Sequence, residues 1–203
     1  VERNVRCILL LGVPGAGKST IAKAAAYEML RPLIRWDLSA VQNKFVGETK
    51  ANLTATTDMI DAISGEPGGV LLVATSNDPS AFPPELLGRF KVIIYHDFPE
   101  RAEKDTIWTI KKAEFNVDGP TPDDTSWTGR DIESCCYLAN DYSISLVEAG
   151  RMVIPASKAS PEKIKTIRRD ASGKYLSASY PGTYQYRETV ESSPTKSKSR
   201  SFD

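Results

Sequence analysis

The sequence has one histidine, three cysteines and no excess of either charge. A lone His96 excludes a histidine-built metal centre and most histidine-dependent catalysis. Cys7, Cys135 and Cys136 are too few and too badly spaced for a disulfide framework or a zinc site. They suit a reducing compartment, so the expected location is cytoplasmic. No apolar run approaches the roughly 20 residues that cross a bilayer, so no membrane role is expected. The 26 basic residues balance 26 acidic ones, which disfavours a protein governed by non-specific attraction to nucleic acid or anionic lipid. No secretory leader pattern is visible, and Val1 falls in what reads as the lead-in to a strand, so the chain is expected to be a piece of something longer. What remains is 203 residues, 40% of them apolar, with room for one sizeable core and a small companion.

Short continuous apolar runs alternate with helical patterns in the first half. Cys7 to Leu11 reads as a strand covered on both faces, followed by a glycine loop and a helix over Ile21 to Leu30. Leu33 to Leu38 reads as a second strand and Glu48 to Ile63 as a long helix, broken by Gly65-Glu66-Pro67-Gly68-Gly69. Val70 to Thr75 is a third strand, ending in Ser76-Asn77-Asp78-Pro79. A short helix over Pro83 to Leu87 leads to Gly88-Arg89-Phe90 and to a strand over Val92 to Tyr95. This order predicts an α/β fold with a parallel sheet over residues 1–99. From Arg101 the patterns are helical only: Arg101 to Lys112, Gly129 to Asp141, Ser145 to Val153 and Pro161 to Arg169. Residues 100–171 are therefore expected to form a small helical lid domain. Serine, glycine, tyrosine and proline accumulate afterwards, which predicts a largely disordered tail over 172–203.

Gly12-Val13-Pro14-Gly15-Ala16-Gly17-Lys18-Ser19-Thr20 satisfies the phosphate-loop pattern G-x-x-x-x-G-K-[ST], in the required position between a buried strand and a helix. The glycines let successive backbone N–H groups turn toward a phosphate, and the following helix adds its dipole. Lys18 would neutralise the β- and γ-phosphates, and the Ser19 hydroxyl is a ligand for Mg²⁺. All nine residues are expected to contact nucleotide, with ATP and Mg²⁺ as cofactors. A chance glycine-rich turn is the bland alternative, and the strand and helix around the loop argue against it.

The loop is joined by Leu38-Ser39, Lys44-Phe45-Val46-Gly47-Glu48-Thr49, Ala74-Thr75-Ser76-Asn77-Asp78, Pro83-Pro84-Glu85-Leu86-Leu87, Gly88-Arg89-Phe90 and Trp127-Thr128-Gly129-Arg130-Asp131-Ile132-Glu133. In this order the motifs resemble those of the AAA+ ATPase family, especially bacterial and phage-type proteins with one catalytic module. The resemblance spans about Val5 to Arg169. It implies a P-loop NTPase sheet followed by a helical lid, and active forms that are ring-shaped homo-oligomers. Asn77 matches the polar sensor that orients the attacking water, although the same residues would also make an Asn-Asp-Pro turn. Arg89 matches the arginine finger that reaches a neighbouring subunit's nucleotide; a solvated surface arginine is the alternative. Val92 stands where the family often has a second arginine, and Lys91 where an aspartate is common. Phe45 matches a pore-loop aromatic that grips a protein substrate, and ordinary docking against a neighbour fits it equally. Thr128 reads as an N-cap, and Arg130 is not assigned a role.

One part of the family pattern has no counterpart. Hydrolysis in this family needs a further strand ending in Asp-Glu, whose aspartate helps to hold Mg²⁺ and whose glutamate activates water. This chain runs from Ala62-Ile63-Ser64 through the Gly65 to Gly69 break straight into the Val70 strand. The segment is lost from the sequence as it stands, or the protein binds nucleotide without hydrolysis, or an acid elsewhere such as Glu66 or Asp61 substitutes. Removal of an interior strand is expected either to expose two sheet edges or to press the sensor strand against the Arg35-to-Leu38 strand.

The expected function is that of an ATP-binding AAA+ module, an ATPase by resemblance, whose hydrolysis drives remodelling of a protein partner in an oligomeric ring. Lys18, Asn77 and Arg89 are the candidate catalytic residues. A nucleotide-binding assembly module without hydrolysis is the alternative, and a small-molecule kinase is a third reading. Cys135-Cys136 reads as helix core, and His96 as a packing residue.

Overall fold

The computed structural model describes residues 7–30, 32–37, 58, 62, 71–78 and 84–187. The expected long helix over Glu48 to Ile63, Phe45 with its neighbours, the Gly65 to Gly69 junction, and Asp61 and Glu66 lie outside these residues, apart from Asp58 and Ala62, which are helical.

Four strands form the body of the sheet: β1 (Cys7–Gly12), β2 (Leu33–Asp37), β3 (Leu71–Ser76) and β4 (Val92–His96). A two-residue strand β5 (Leu176–Ser177) completes it, in the order β2-β3-β1-β4-β5 with every pairing parallel. The apolar runs form strands because both faces are covered. Leu9, Leu11 and Ala74 are fully buried on one face, while Leu10, Leu71 and Val73 are buried on the other. Helix α1 (Lys18–Glu28) covers the second face through Ala22 and Ala26, whose small side chains let helix and sheet approach closely.

The sheet resolves the alternatives posed by the sequence. β2 pairs directly with β3, from Leu33 opposite Leu71 to Asp37 opposite Thr75. β3, which ends just before Asn77, therefore pairs with β1 on one side and with β2 on the other.

After α2 (Pro84–Leu87) and β4 the chain is helical: α3 (Arg101–Phe115), α4 (Gly129–Asp141), α5 (Leu146–Gly150), α6 (Ala156–Ala159) and α7 (Pro161–Ala171). The starts of these helices follow capping chemistry. The Glu100 N–H donates to Glu103 at 2.8 Å, the Ser145 N–H donates to Glu148 at 3.0 Å, and Thr128 is the N-cap of α4. A second core of Trp108, Trp127, Ile132, Cys135, Cys136 and Leu146 holds α3, α4 and α5 together. Both cysteines are fully buried in it, and burial pushes their thiols up to about 12 and about 11, as the inert core reading requires. Helix α7 behaves differently, since its Ile167 and Ala171 pack with Leu9, Leu11 and Tyr95 beneath the sheet.

The expected disordered tail is corrected over residues 172–187. Leu176 pairs with Ile94, the Ala178 N–H donates to the Tyr95 carbonyl at 3.0 Å, and Tyr184 is buried with its ring centroid 4.4 Å from that of Tyr95. Composition misled because three tyrosines, Tyr175, Tyr184 and Tyr186, supply the apolar bulk that aliphatic residues usually supply. Charge completes the seam. Arg168 makes a bidentate pair with Asp97 at 2.8 and 2.9 Å, and the Tyr184 hydroxyl donates to the same carboxylate at 2.7 Å. The Arg168 guanidinium also lies 5.3 Å from the Phe98 ring and 4.9 Å from that of Tyr186.

This seam is expected to carry stability. Tyr184→Ala should cost about 3–5 kcal/mol in urea denaturation, and Tyr184→Phe, which removes only the hydroxyl, about 1–2 kcal/mol. Equal losses from the two variants would show that the ring packing contributes nothing.

Candidate functional site

The loop after β1 turns through left-handed backbone at Gly15 (φ 85°) and at Gly17 (φ 79°), which is the N-cap of α1. A Cβ at Gly17 would meet nothing within 4 Å, so its backbone angle, rather than crowding, calls for glycine there. Gly15 is constrained twice. A Cβ there would fall 2.5 Å from Thr128 Oγ1 and 2.9 Å from the Arg130 Cβ, because the start of α4 rests on the loop. The Arg130 N–H donates to the Gly15 carbonyl at 3.3 Å, and the Thr128 N–H and hydroxyl both donate to Asp131 at 2.8 Å.

The start of α3 is anchored nearby through a buried aspartate. Asp124 accepts two hydrogen bonds from Arg101, at 2.9 and 3.0 Å, and one from Trp108 Nε1 at 2.8 Å, while Lys104 donates to its backbone carbonyl. Burial alone would raise its pKa, but the Arg101 and Trp108 hydrogen bonds and the Lys104 charge outweigh it and hold the carboxyl below the usual range.

Lys18 opens α1 with its stem buried. Its Nζ donates to the carbonyls of Gly12 and Val13, both at 2.9 Å. An ammonium held by neutral carbonyls at the mouth of a glycine loop is matched to an incoming anion, for which charge-assisted bonds are stronger. The loop fits a phosphate chain: an open concave side at Gly17, a helix N-terminus and a cation at one place. For a divalent ion the donors are sparser. Among the described residues no group of three His, Cys, Asp or Glu side chains is placed to hold a metal. Mg²⁺ would suit such a site because it keeps several waters and leans on substrate phosphates, and the Ser19 hydroxyl, which lines the cleft, would be available to it.

The loop opens onto a cleft of about 790 Å³, a volume suited to a nucleotide-sized ligand. Gly15, Ala16, Gly17, Lys18, Ser19 and Thr20 line one wall, and Thr75, Ser76 and Asn77 at the end of β3 line another. Asn77 is thus brought to the loop. Gly12, Val13 and Pro14 lie behind it and are not lining residues, although the Gly12 and Val13 carbonyls hold Lys18. Arg89 is exposed in the turn after α2 and is not part of this cleft. Phe45 lies outside the described residues.

Several lining residues escape a motif-based reading. Ile107 and Ile110 of α3 and Ile21 of α1 give the cleft an apolar side. Ala178 and Ser179 arrive from the segment after α7, where the Ser179 hydroxyl donates to Glu103 at 3.3 Å. His96 also lines the cleft. It is only 5% exposed and its Nε2 has no hydrogen-bond partner, while burial first and the Lys18 charge second lower its pKa to about 4. It is a neutral imidazole at the floor of the cleft, so a packing role describes only part of its setting. The alternating strand pattern puts His96 on the α1 face, but nothing in the strand pattern announces a cavity.

A profile of the AAA family, the ATPase family associated with various cellular activities, matches residues 8–71, from β1 through the loop to the start of β3. Among curated proteins the chain is 26% identical to an uncharacterised AAA domain-containing protein, ycf46, of Pyropia yezoensis over 180 residues, which is 70% of this chain and 35% of that protein. Over these spans the chain is similar to the AAA family of ATPases. It is also 25% identical to a proteasome-activating nucleotidase of Methanococcus maripaludis, over 68% of its own length and 46% of the relative. It spans about a third of the length of the ycf46 proteins. Among solved structures, the FIGL-1 AAA domain in complex with ADP has a TM-score of 0.57 at 17% identity, covering 82% of this chain and 78% of that one. A katanin structure concerned with self-assembly has a TM-score of 0.52 at 16% identity, covering 81% and 77%. These likenesses confirm the P-loop NTPase fold with its parallel sheet and helices. No helix among the described residues is long and apolar enough to cross a membrane.

The neutral His96 should leave a mark on stability. An unfolded histidine binds its proton near pH 6.5, whereas the folded chain resists until about pH 4. Between those values the unfolded state holds more protons, so stability is complete above pH 6.5 and falls on acidification, by up to about 3 kcal/mol. Urea midpoints measured from pH 7 to pH 4.5 should fall in the wild type and fall less in His96→Gln. Parallel profiles for the two proteins would assign the acid sensitivity to other groups.

Proposed function

We propose that this AAA chain binds Mg·ATP in the cleft above the phosphate loop and acts on a protein partner as a subunit of a homo-oligomeric ring. The observation that carries the binding reading is the convergence of the Gly15 to Thr20 part of the loop, with Lys18, and Asn77 on one cleft of nucleotide size. In this reading loop N–H groups receive the phosphates, Lys18 exchanges two carbonyls for phosphate oxygens, and Ser19 is a magnesium ligand. Bound magnesium would offset phosphate charge, and Ile107 and Ile110 would offer apolar surface to the base. Asn77 would orient the water, and Arg89, exposed and away from its own cleft, would serve a neighbouring subunit's nucleotide. Phe45 would touch the protein substrate. A protein partner suits the balanced charge of the chain better than nucleic acid does.

A second reading, binding and assembly without turnover, is favoured by a specific observation: β2 lies directly against β3, where the family's acid-bearing strand is expected. The relatives supply further support. The alignment to the Pyropia protein runs over 180 residues but covers 70% of this 203-residue chain, about 142 residues, so about 38 aligned positions have no counterpart here. That is the size of one strand with its helix and connections.

A fluorescent ATP analogue should give saturable binding to the purified chain, weakened at least about tenfold by Lys18→Ala through loss of its charge-assisted phosphate contacts. Binding that is absent, or indifferent to that substitution, would refute the proposal. Light scattering with and without ATP, read beside phosphate release, separates the two versions. Growth in size with phosphate release supports the ATPase, and growth without release supports the assembly module.

A further inference from the structure

The chain returns to the cleft after α7. Leu176 pairs with Ile94 on the outer edge of β4 and meets Thr183 in an antiparallel bridge, so residues 176–183 form a small closed turn. The Ser177 N–H closes it onto the Gly182 carbonyl at 2.9 Å, and Gly182 takes a φ of 117°, which favours glycine. Within the turn the Ser179 N–H donates to Ser177 Oγ at 3.2 Å, and the Tyr180 hydroxyl accepts the Gln185 N–H at 2.8 Å. Its shape is therefore set by its own bonds.

Three contacts fasten the turn to both sides of the cleft. The Ala178 N–H donates to the Tyr95 carbonyl at 3.0 Å, which ties it to the sheet. The Ser179 hydroxyl donates to Glu103 Oε2 at 3.3 Å, and the same oxygen accepts the Glu100 N–H at 2.8 Å, which ties it to the first turn of α3. Tyr184, just beyond, is the buried anchor, bonded to Asp97 at 2.7 Å. Fastened in this way, Ala178 and Ser179 are exposed and line the cleft, as do Pro99, Ile107 and Ile110.

The loop, Lys18 and the start of α1 account for the anionic end of a nucleotide. The nucleoside must then lie along the remaining lining, where an apolar side is joined by a few polar groups, the usual make-up of a site for a base. We infer that the turn carrying Ala178 and Ser179 is a wall of this site and covers the nucleoside while the loop holds the phosphates. The inference rests on the nucleotide-binding reading above. Docking of the turn and binding of the nucleoside then strengthen each other by the same factor, whereas an anion on the loop alone leaves the turn indifferent. A turn that merely covered the edge of β4 would respond to neither.

The test compares ADP with inorganic pyrophosphate, which carries the phosphates without the nucleoside, on the full chain in Mg²⁺. Saturating ADP should slow hydrogen exchange at the Ser177 and Ala178 amides by about fivefold or more, the factor equivalent to about one hydrogen bond, and pyrophosphate should leave both unchanged. Photolysis of bound 2-azido-ADP, whose azide sits on the base, should label the tryptic peptide of residues 175–187. Ala178→Pro removes the N–H that ties the turn to Tyr95, and should weaken ADP binding about fivefold more than it weakens pyrophosphate binding. The two wild-type measurements decide the matter should that variant fail to fold. Equal exchange with and without ADP, equal slowing by pyrophosphate, or a base label that spares residues 175–187 would overturn the inference. Failure of both ADP and pyrophosphate to reach saturation would instead refute the nucleotide reading itself.

Discussion

The structure depends on the clamping of β1 between β3 and β4 in parallel register. Five residues of β1 pair on each side, and Leu9 and Leu11 lie fully buried at its centre. Parallel pairing brings the carboxyl ends of all three strands to one edge, which is where ligands sit in open α/β sheets. The phosphate loop, the Thr75 to Asn77 turn and His96 therefore finish at one level without any further device. The Val13 N–H, bonded to the His96 carbonyl at 3.0 Å, continues the ladder into the loop itself. A loop tied in this way is preorganised, so little ordering remains when an anion arrives.

The helical part is oriented by polar contacts as well as by its own core. Asp124 gathers Arg101, Lys104 and Trp108 at the start of α3, and the Thr128–Asp131 capping pair sets the first turn of α4 against Gly15. An aspartate with this many donors is stable as a buried charge because its hydrogen-bonding capacity is filled. The consequence is a cleft with one wall from the sheet and one from the helices, joined at the loop.

Much of this was legible in the sequence, for identifiable reasons. The strands announced themselves as short apolar runs, the loop as a glycine pattern between strand and helix, and the start of α4 as an N-cap at Thr128. Pairing partners were harder to read. The adjacency of β2 and β3 was one of two outcomes compatible with the sequence, since hydrogen bonding between strands more than thirty residues apart leaves no local trace. The segment after α7 was misread because its burial is aromatic and its partners are distant. His96 was visible as a residue but its place on the floor of the cleft was not. Such a setting arises only when β4, α1 and the loop are assembled.

The Asp97 seam has a consequence for the order of assembly. Its partners Arg168 and Tyr184 lie 71 and 87 residues downstream in the chain. Contacts of such separation close large loops and tend to form late. During synthesis from the amino terminus, β4 and the carboxylate beside it must wait for nearly the whole described chain to emerge before the seam can close. Until then the outer edge of β4 is a strand without its neighbour and Asp97 is a carboxylate without its guanidinium. The last stretch of the described chain is thus the latch of the sheet, and the nascent protein carries an open edge from the emergence of β4 until that stretch follows.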